Sequence, residues 1–133
     1  RKDEGILSHS LKEGKNIIDV CKITINSYLN YMEKKLSPVF DKRFYFGVPA
    51  PTFKKNNLDN LELKMKNMIS NFNSILKEEV ISRGAFFVDV YELTSDCYGE
   101  NNGVYMSDKT HLSPKCLSIL FKNYLYEPNN IIQ

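Results

Sequence analysis

An α/β domain with parallel strands is the fold class this sequence predicts, on three observations. Apolar residues recur at helical spacing over two long stretches, Asn16 to Leu36 and Leu58 to Val80. Each stretch is followed by a short aromatic and β-branched run, Arg43-Phe44-Tyr45-Phe46-Gly47-Val48 and then Ala85-Phe86-Phe87-Val88-Asp89-Val90. The order helix, strand, helix, strand, loop, helix is the one that right-handed crossovers between parallel strands produce.

Taken in order, residues 1–15 are polar, carry Gly5 and Gly14, and read as a leading loop with a short turn from Ile6 to Leu11. Ile17, Ile18, Cys21, Ile25, Tyr28, Leu29, Met32 and Leu36 then mark one face of an amphipathic helix that should stop before Pro38. The first aromatic run is a buried strand, ended by Pro49 and Pro51. Asn56 or Asn57 can cap the second helix, whose stripe Leu58, Leu61, Met65, Met68, Ile69, Phe72, Leu76 and Val80 stops near Arg83 and Gly84. Met65 and Met68 belong to that stripe as core filling. The second run is another buried strand, and Ser95 to Gly103 is a loop of Asn, Asp and Gly. Ser113 suits an N-cap and Pro114 the first helical position, so a last helix should run from Pro114 to about Tyr126. Residues 1–126 thus form the domain and 127–133 a short tail.

The bulk properties narrow the function. With 133 residues, 42% of them hydrophobic, the chain can bury one core. Eighteen basic against sixteen acidic side chains give a formal charge of +2 with no basic block, so a nucleic-acid partner is not expected. Cys21, Cys97 and Cys116 are widely spaced without a Cys-x-x-Cys pair, which suits neither a disulfide framework nor a zinc finger. They read as ordinary thiols; a metal held by Cys97, His111 and Cys116 is the remote alternative, and no cofactor is expected. No apolar run is long enough to cross a bilayer, and Arg1-Lys2-Asp3-Glu4-Gly5 lacks signal-peptide character.

In parallel sheets ligands gather beyond the carboxyl ends of the strands. Val48 to Pro51 and the Asp89 to His111 segment both leave from such ends and should share one rim. Within that segment Asp108 and His111 sit three residues apart, just ahead of the last helix. A carboxylate that accepts the proton of one imidazole nitrogen fixes the tautomer and leaves the other nitrogen to take a proton from a nucleophile. The bland alternative makes Asp108 a turn residue and His111 a surface histidine. Asp89, at a strand end, could touch substrate, but a loop start or helix cap is the readier role. Tyr98, Tyr105, Asn101 and Asn102 could stack on and hydrogen-bond a sugar ring, although Asn-Asn-Gly is equally turn chemistry. Lys54, Lys55, Lys64 and Lys66 read as solvated charges.

Asp108-x-x-His111, followed by Leu112-Ser113-Pro114 and a final helix, resembles the last conserved block of the SGNH (GDSL-type) hydrolases. The pieces before it agree in order: Gly47-Val48-Pro49-Ala50-Pro51 after a strand, a long helix, then Gly84 to Val90. The likeness spans roughly residues 16 to 126. It implies a three-layer α/β/α, flavodoxin-like sandwich of which this chain is the incomplete carboxyl-terminal part. It also implies hydrolysis of an ester, such as an O-acetyl or acyl group on a glycan, with His111 as general base and Asp108 as its orienting acid. The family's serine nucleophile stands in a Gly-Asp-Ser block that has no match here, and neither Ser8 nor Ser10 is assigned the role. A triad without its nucleophile typically loses a factor of ~10⁶ in turnover, so the isolated chain is expected to be nearly inert. A noncatalytic carbohydrate-binding or scaffold module of the same fold is the alternative. Two strands also leave sheet edges bare, so the upstream half of the domain or a second copy is expected to cover them.

Overall fold

The computed structural model describes residues 16–36, 42–52, 60–108 and 111–128, and within them the architecture is mixed helix and sheet. Helix α1, Ile17–Leu36, begins where Asn16 Oδ1 accepts the Asp19 N–H at 3.2 Å and buries Cys21, Ile25 and Leu29 on one stripe. Strand β1, Phe44–Phe46, follows, and then helix α2, Asn60–Ser82. Met68, Ile69, Phe72, Leu76 and Val80 of α2 are buried, as the periodicity predicts, and Met65 packs against them. Strand β2, Phe86–Val88, lies parallel to β1, with Tyr45 opposite Phe87.

Helix α2 ends at Gly84, whose φ of 78° is left-handed. Gly84 N–H donates to Ile81 O at 3.0 Å and Ala85 N–H to Val80 O at 3.1 Å, the paired bonds that close a helix on a glycine. The same turn projects Arg83, which bonds Glu79, Glu33, Asn30 and Asn26, while Arg43 also reaches Glu33 at 3.4 Å. This polar cluster ties α1 to the end of α2 at the pole from which the strands start.

Two elements depart from the sequence reading. Asp89 caps a five-residue helix, α3 at Val90–Thr94, its carboxylate accepting the Glu92 N–H at 3.0 Å. The last helix is also shorter than expected. A 3-10 turn at Pro114–Cys116 leads into α4, Leu117–Asn123, and Tyr124 then leaves helical geometry. Leu125–Tyr126 form β3 and pair antiparallel with β2, and Asp89 N–H donates to Tyr124 O at 2.9 Å. Pairing with an open sheet edge, plus Lys77 Nζ lying 3.5 Å from the Tyr126 ring centroid, outweighs a helical preference that only two residues would express.

Successive strand residues face opposite sides, so the sheet has two cores. Tyr45 and Phe87 pack with α1 and α2, whereas Val88 packs with Val90, Leu93, Cys116 and Leu120. Fully buried side chains such as Phe87, Ile25 and Leu29 each contribute about 1.5–3 kcal/mol through burial. The expected leading loop, the Asn56 or Asn57 cap, Lys54, Lys55 and residues 129–133 lie outside the described residues. Among the described residues no helix is long and apolar enough to cross a membrane.

Candidate active site

The rim beyond the carboxyl ends of β1 and β2 is assembled from backbone groups held by side chains. Gly47 N–H donates to Val88 O at 3.0 Å and carries the pairing one step past β1. Above it, Val48 N–H donates to Asn73 Oδ1 at 2.7 Å and Asn73 Nδ2 donates to Val48 O at 3.0 Å. Ala50 N–H donates to Thr94 Oγ1 at 2.9 Å, and that hydroxyl donates to Val90 O at 2.8 Å. The loop after α3 is fastened to the same strand exit: Asn101 N–H donates to Pro51 O at 2.9 Å and Asn101 Nδ2 to Ala50 O at 3.0 Å. Val48 to Pro51 and the segment after Asp89 therefore share one rim.

Asn102 continues the fastening, with its N–H on Thr94 O at 2.7 Å and its Nδ2 on Leu93 O at 3.0 Å. The side-chain oxygens of Asn101 and Asn102 accept from the N–H groups of Gly103 and Val104. Both amides thus serve the turn. Tyr105 packs against the second core, whereas the Tyr98 side chain stands out into solvent, its residue 72% exposed. Of the four residues singled out for sugar contact, Tyr98 presents the open ring.

Beyond Val104 the chain doubles back. Met106 and Leu112 form an antiparallel bridge, and Ser113 N–H donates to Tyr105 O at 2.7 Å. Ser107 donates twice to His111 O, from its N–H at 2.9 Å and its Oγ at 3.2 Å. Ser113 Oγ accepts the Lys115 N–H at 3.4 Å and starts the turn that leads into α4.

Asp108 and His111 meet at the tip of this doubled segment. The Nδ1 atom of His111 lies 2.9 Å from each Asp108 oxygen, and Asp108 Oδ1 also accepts the His111 backbone N–H at 2.8 Å. One carboxylate thus orients the ring and closes the turn that carries it. Because a carboxylate only accepts, Nδ1 carries the proton in this contact, and in the neutral ring Nε2 keeps its lone pair. The two side chains are 74% and 58% exposed, so a reacting group can approach the pair from solvent.

A hollow of about 220 Å³, lined by Val104, Tyr105, Ser113, Lys115, Cys116 and Ile119, adjoins the doubled segment. A larger groove of about 500 Å³ runs along α2 over Ser74, Lys77 and Ile81, away from the rim, and none of its lining residues belongs to the site. The metal alternative finds no ligand set: Cys116 is buried, Cys97 is exposed, and among the described residues no three His, Cys, Asp or Glu side chains gather. Burial also pushes the Cys116 thiol upward, away from the thiolate a metal needs. Asp89, Thr94 and Asn73 hold the rim. A loop start or cap at Asp89 is legible in the sequence, whereas Asn73 and Thr94 carry no local signal of partners 25 and 44 residues away.

No family model, no curated protein and no solved structure matches this chain.

Proposed function

We propose that this chain carries the acid–base part of a serine ester hydrolase of the SGNH type, with the nucleophilic serine outside the described residues. The observation that carries the reading is the bidentate contact of Asp108 with His111 Nδ1 at 2.9 Å, made by two side chains that solvent reaches. The parallel pair β1 and β2, with long helices against one face and α4 against the other, supports a three-layer α/β/α sandwich of which these elements are the carboxyl-terminal part.

In this reading the serine hydroxyl attacks the ester carbonyl while its proton passes to His111 Nε2, and Asp108 steadies the imidazolium. Collapse of the tetrahedral intermediate expels the alcohol, which takes that proton. Water then repeats the sequence on the acyl-enzyme, its proton passing through His111 to the serine, and the carboxylic acid leaves. An O-acylated glycan fits the exposed Tyr98 ring and the hollow beside Tyr105, which would receive the sugar and the acyl group.

Full-length protein is expected to hydrolyse p-nitrophenyl acetate, and His111→Ala to lower turnover by a factor of up to ~10⁶. Unchanged turnover in that variant rejects the hydrolase reading. A carbohydrate-binding module without activity draws its support from Tyr98. It takes over if wild-type protein turns over no ester yet binds glycan arrays through that ring.

A further inference from the structure

Among the described residues, whose strand order is β1, β2, β3, the outer edge of β1 pairs with no strand. Phe86 N–H donates to Arg43 O at 2.8 Å and Gly47 N–H to Val88 O at 3.0 Å, so the odd-numbered residues of this stretch turn their backbone toward β2. Alternation then aims the N–H and C=O of Phe44 and Phe46 outward. At the next outward position, Val48, the Asn73 amide binds both backbone groups and stands where an adjacent strand would otherwise pair. The edge offered to a partner is therefore short and defined: Phe44 to Phe46, stopped at the rim by Asn73.

The side chains flanking that edge are apolar. Phe44 stacks on Phe86 with ring centroids 4.8 Å apart, and Phe121 of α4 meets Phe44 and Phe46 edge-on at 5.5 and 5.8 Å. Phe44 and Phe46 remain 42% and 38% exposed. Outward-facing amides beside a row of half-exposed phenylalanines are a pairing surface that folded proteins cover.

The placement of α1 says what covers it. Asn26, Asn30 and Glu33 contact Arg83 at the pole where β2 begins, so the later half of α1 sits at the foot of the sheet. From Asn30 back to Ile17 the helix climbs roughly 20 Å, which brings its start level with the rim. Whatever precedes α1 thus arrives from the carboxyl-end side, as a strand parallel to β1 would. Both α1 and α2 pack on the Tyr45 and Phe87 face. Crossovers between parallel strands share one hand in about 98% of cases. Two successive crossovers of one hand over one face step across the sheet in one direction. Since α2 carries the chain from β1 to β2, α1 must carry it to β1 from the opposite side, which is the open edge.

We infer that a strand lying amino-terminal to α1 in the full-length protein runs parallel to β1 along its outer edge. It pairs with the backbone of Phe44 and Phe46 and lays apolar side chains against the Phe44, Phe46 and Phe121 cluster. It ends below Asn73, and its carboxyl end opens on the rim formed by Val48 to Pro51 and Asn101. The pairing is indifferent to the chemistry at that rim and is testable whether or not the protein is a hydrolase.

Amide hydrogen exchange and inter-strand nuclear Overhauser effects in full-length protein decide it. The Phe44 and Phe46 amides are expected to exchange at least ~10³-fold more slowly than unstructured amides, like the inward-facing Tyr45 amide. The Phe46 amide should also show a contact to a residue amino-terminal to Asn16 within the same molecule. Exchange at unstructured rates for Phe44 and Phe46 beside a protected Tyr45 overturns the inference. So does a contact that appears only between differently labelled molecules, because a second copy then occupies the edge. A contact to a residue carboxyl-terminal to α4 overturns it too.

Discussion

Asp108 bonds His111 twice over, with both carboxylate oxygens 2.9 Å from ring Nδ1 and one of them also accepting the residue's backbone N–H at 2.8 Å. The backbone bond needs only an oxygen, whereas orienting and charge-stabilising the ring needs a carboxylate. Asp108→Asn separates the two. The amide retains an acceptor for the turn but puts the wrong partner beside Nδ1. Turnover of p-nitrophenyl acetate by full-length protein is expected to fall about 10⁴-fold. Because the side chain is 58% exposed, stability should stay within about 0.5 kcal/mol of wild type. A variant that keeps full turnover removes Asp108 from the chemistry, and one that melts early shows that the turn, too, needs the carboxylate.

Asn73 is the side chain on which the rim's geometry rests. It is buried, and its amide satisfies both the N–H and the C=O of Val48. Asn73→Ala leaves two buried backbone groups without partners and is expected to destabilise the fold by roughly 2–4 kcal/mol. Gly47 is coupled to it, because a Cβ there would stand 2.7 Å from Asn73 Oδ1 and 2.9 Å from Phe87 Cζ. Gly47→Ala should cost about 1–3 kcal/mol through that crowding. With the amide gone, part of the clash disappears, so the double variant should lose less than the sum of the single ones. Urea midpoints for the four proteins test this, and strict additivity would uncouple the two positions.

The contrast between Asn73 and Asp108 explains what could be read from the chain beforehand. Asp108 and His111 are near neighbours, and their contact closes over a span of four residues just ahead of the helix start at Ser113-Pro114, so adjacent residues announce it. The stripes of α1 and α2 were legible for the same reason, since each repeats over many residues. Asn73 meets Val48 and Thr94 meets Ala50 across long separations, and no local pattern announces such pairs. Leu125 and Tyr126 are strand only because β2 offers an edge. Asn101 and Asn102 carry both turn and sugar-binding chemistry in their composition, and which use is made of them depends on the carbonyls of Ala50 and Leu93.

Arg83 makes a different kind of prediction, about guanidinium geometry. Its three nitrogens reach Glu79 at 3.2 Å, Glu33 at 3.2 Å, Asn30 at 2.8 Å and Asn26 at 2.9 Å. An ammonium group keeps the charge but cannot span acceptors on two helices at once. Arg83→Lys is therefore expected to lower stability by about 1–2 kcal/mol, within the range of charge-assisted hydrogen bonds. The denaturant midpoint measures it, and a midpoint equal to wild type would reduce the cluster to screened surface charge.

Asp89 provides a pH test with a definite sign. Burial raises its carboxyl above the usual range, as does the nearby Glu92 charge, against the lowering effects of the Glu92 N–H and of Lys77. In the unfolded chain the group titrates near ~3.9. The fold thus holds the proton more tightly than the unfolded chain. The resulting stability is fully present below the unfolded value and is lost as pH rises through the folded one. Asn caps a helix as well as Asp does, so Asp89→Asn preserves the start of α3 while removing the partly buried charge. At neutral pH the variant is expected to melt above wild type. The difference should shrink as pH falls and vanish only well below ~3.9, where the wild-type carboxyl is protonated in both states. A variant that melts lower at neutral pH would mean that the charge of Asp89, through Lys77 or the dipole of α3, stabilises the fold more than its burial opposes it.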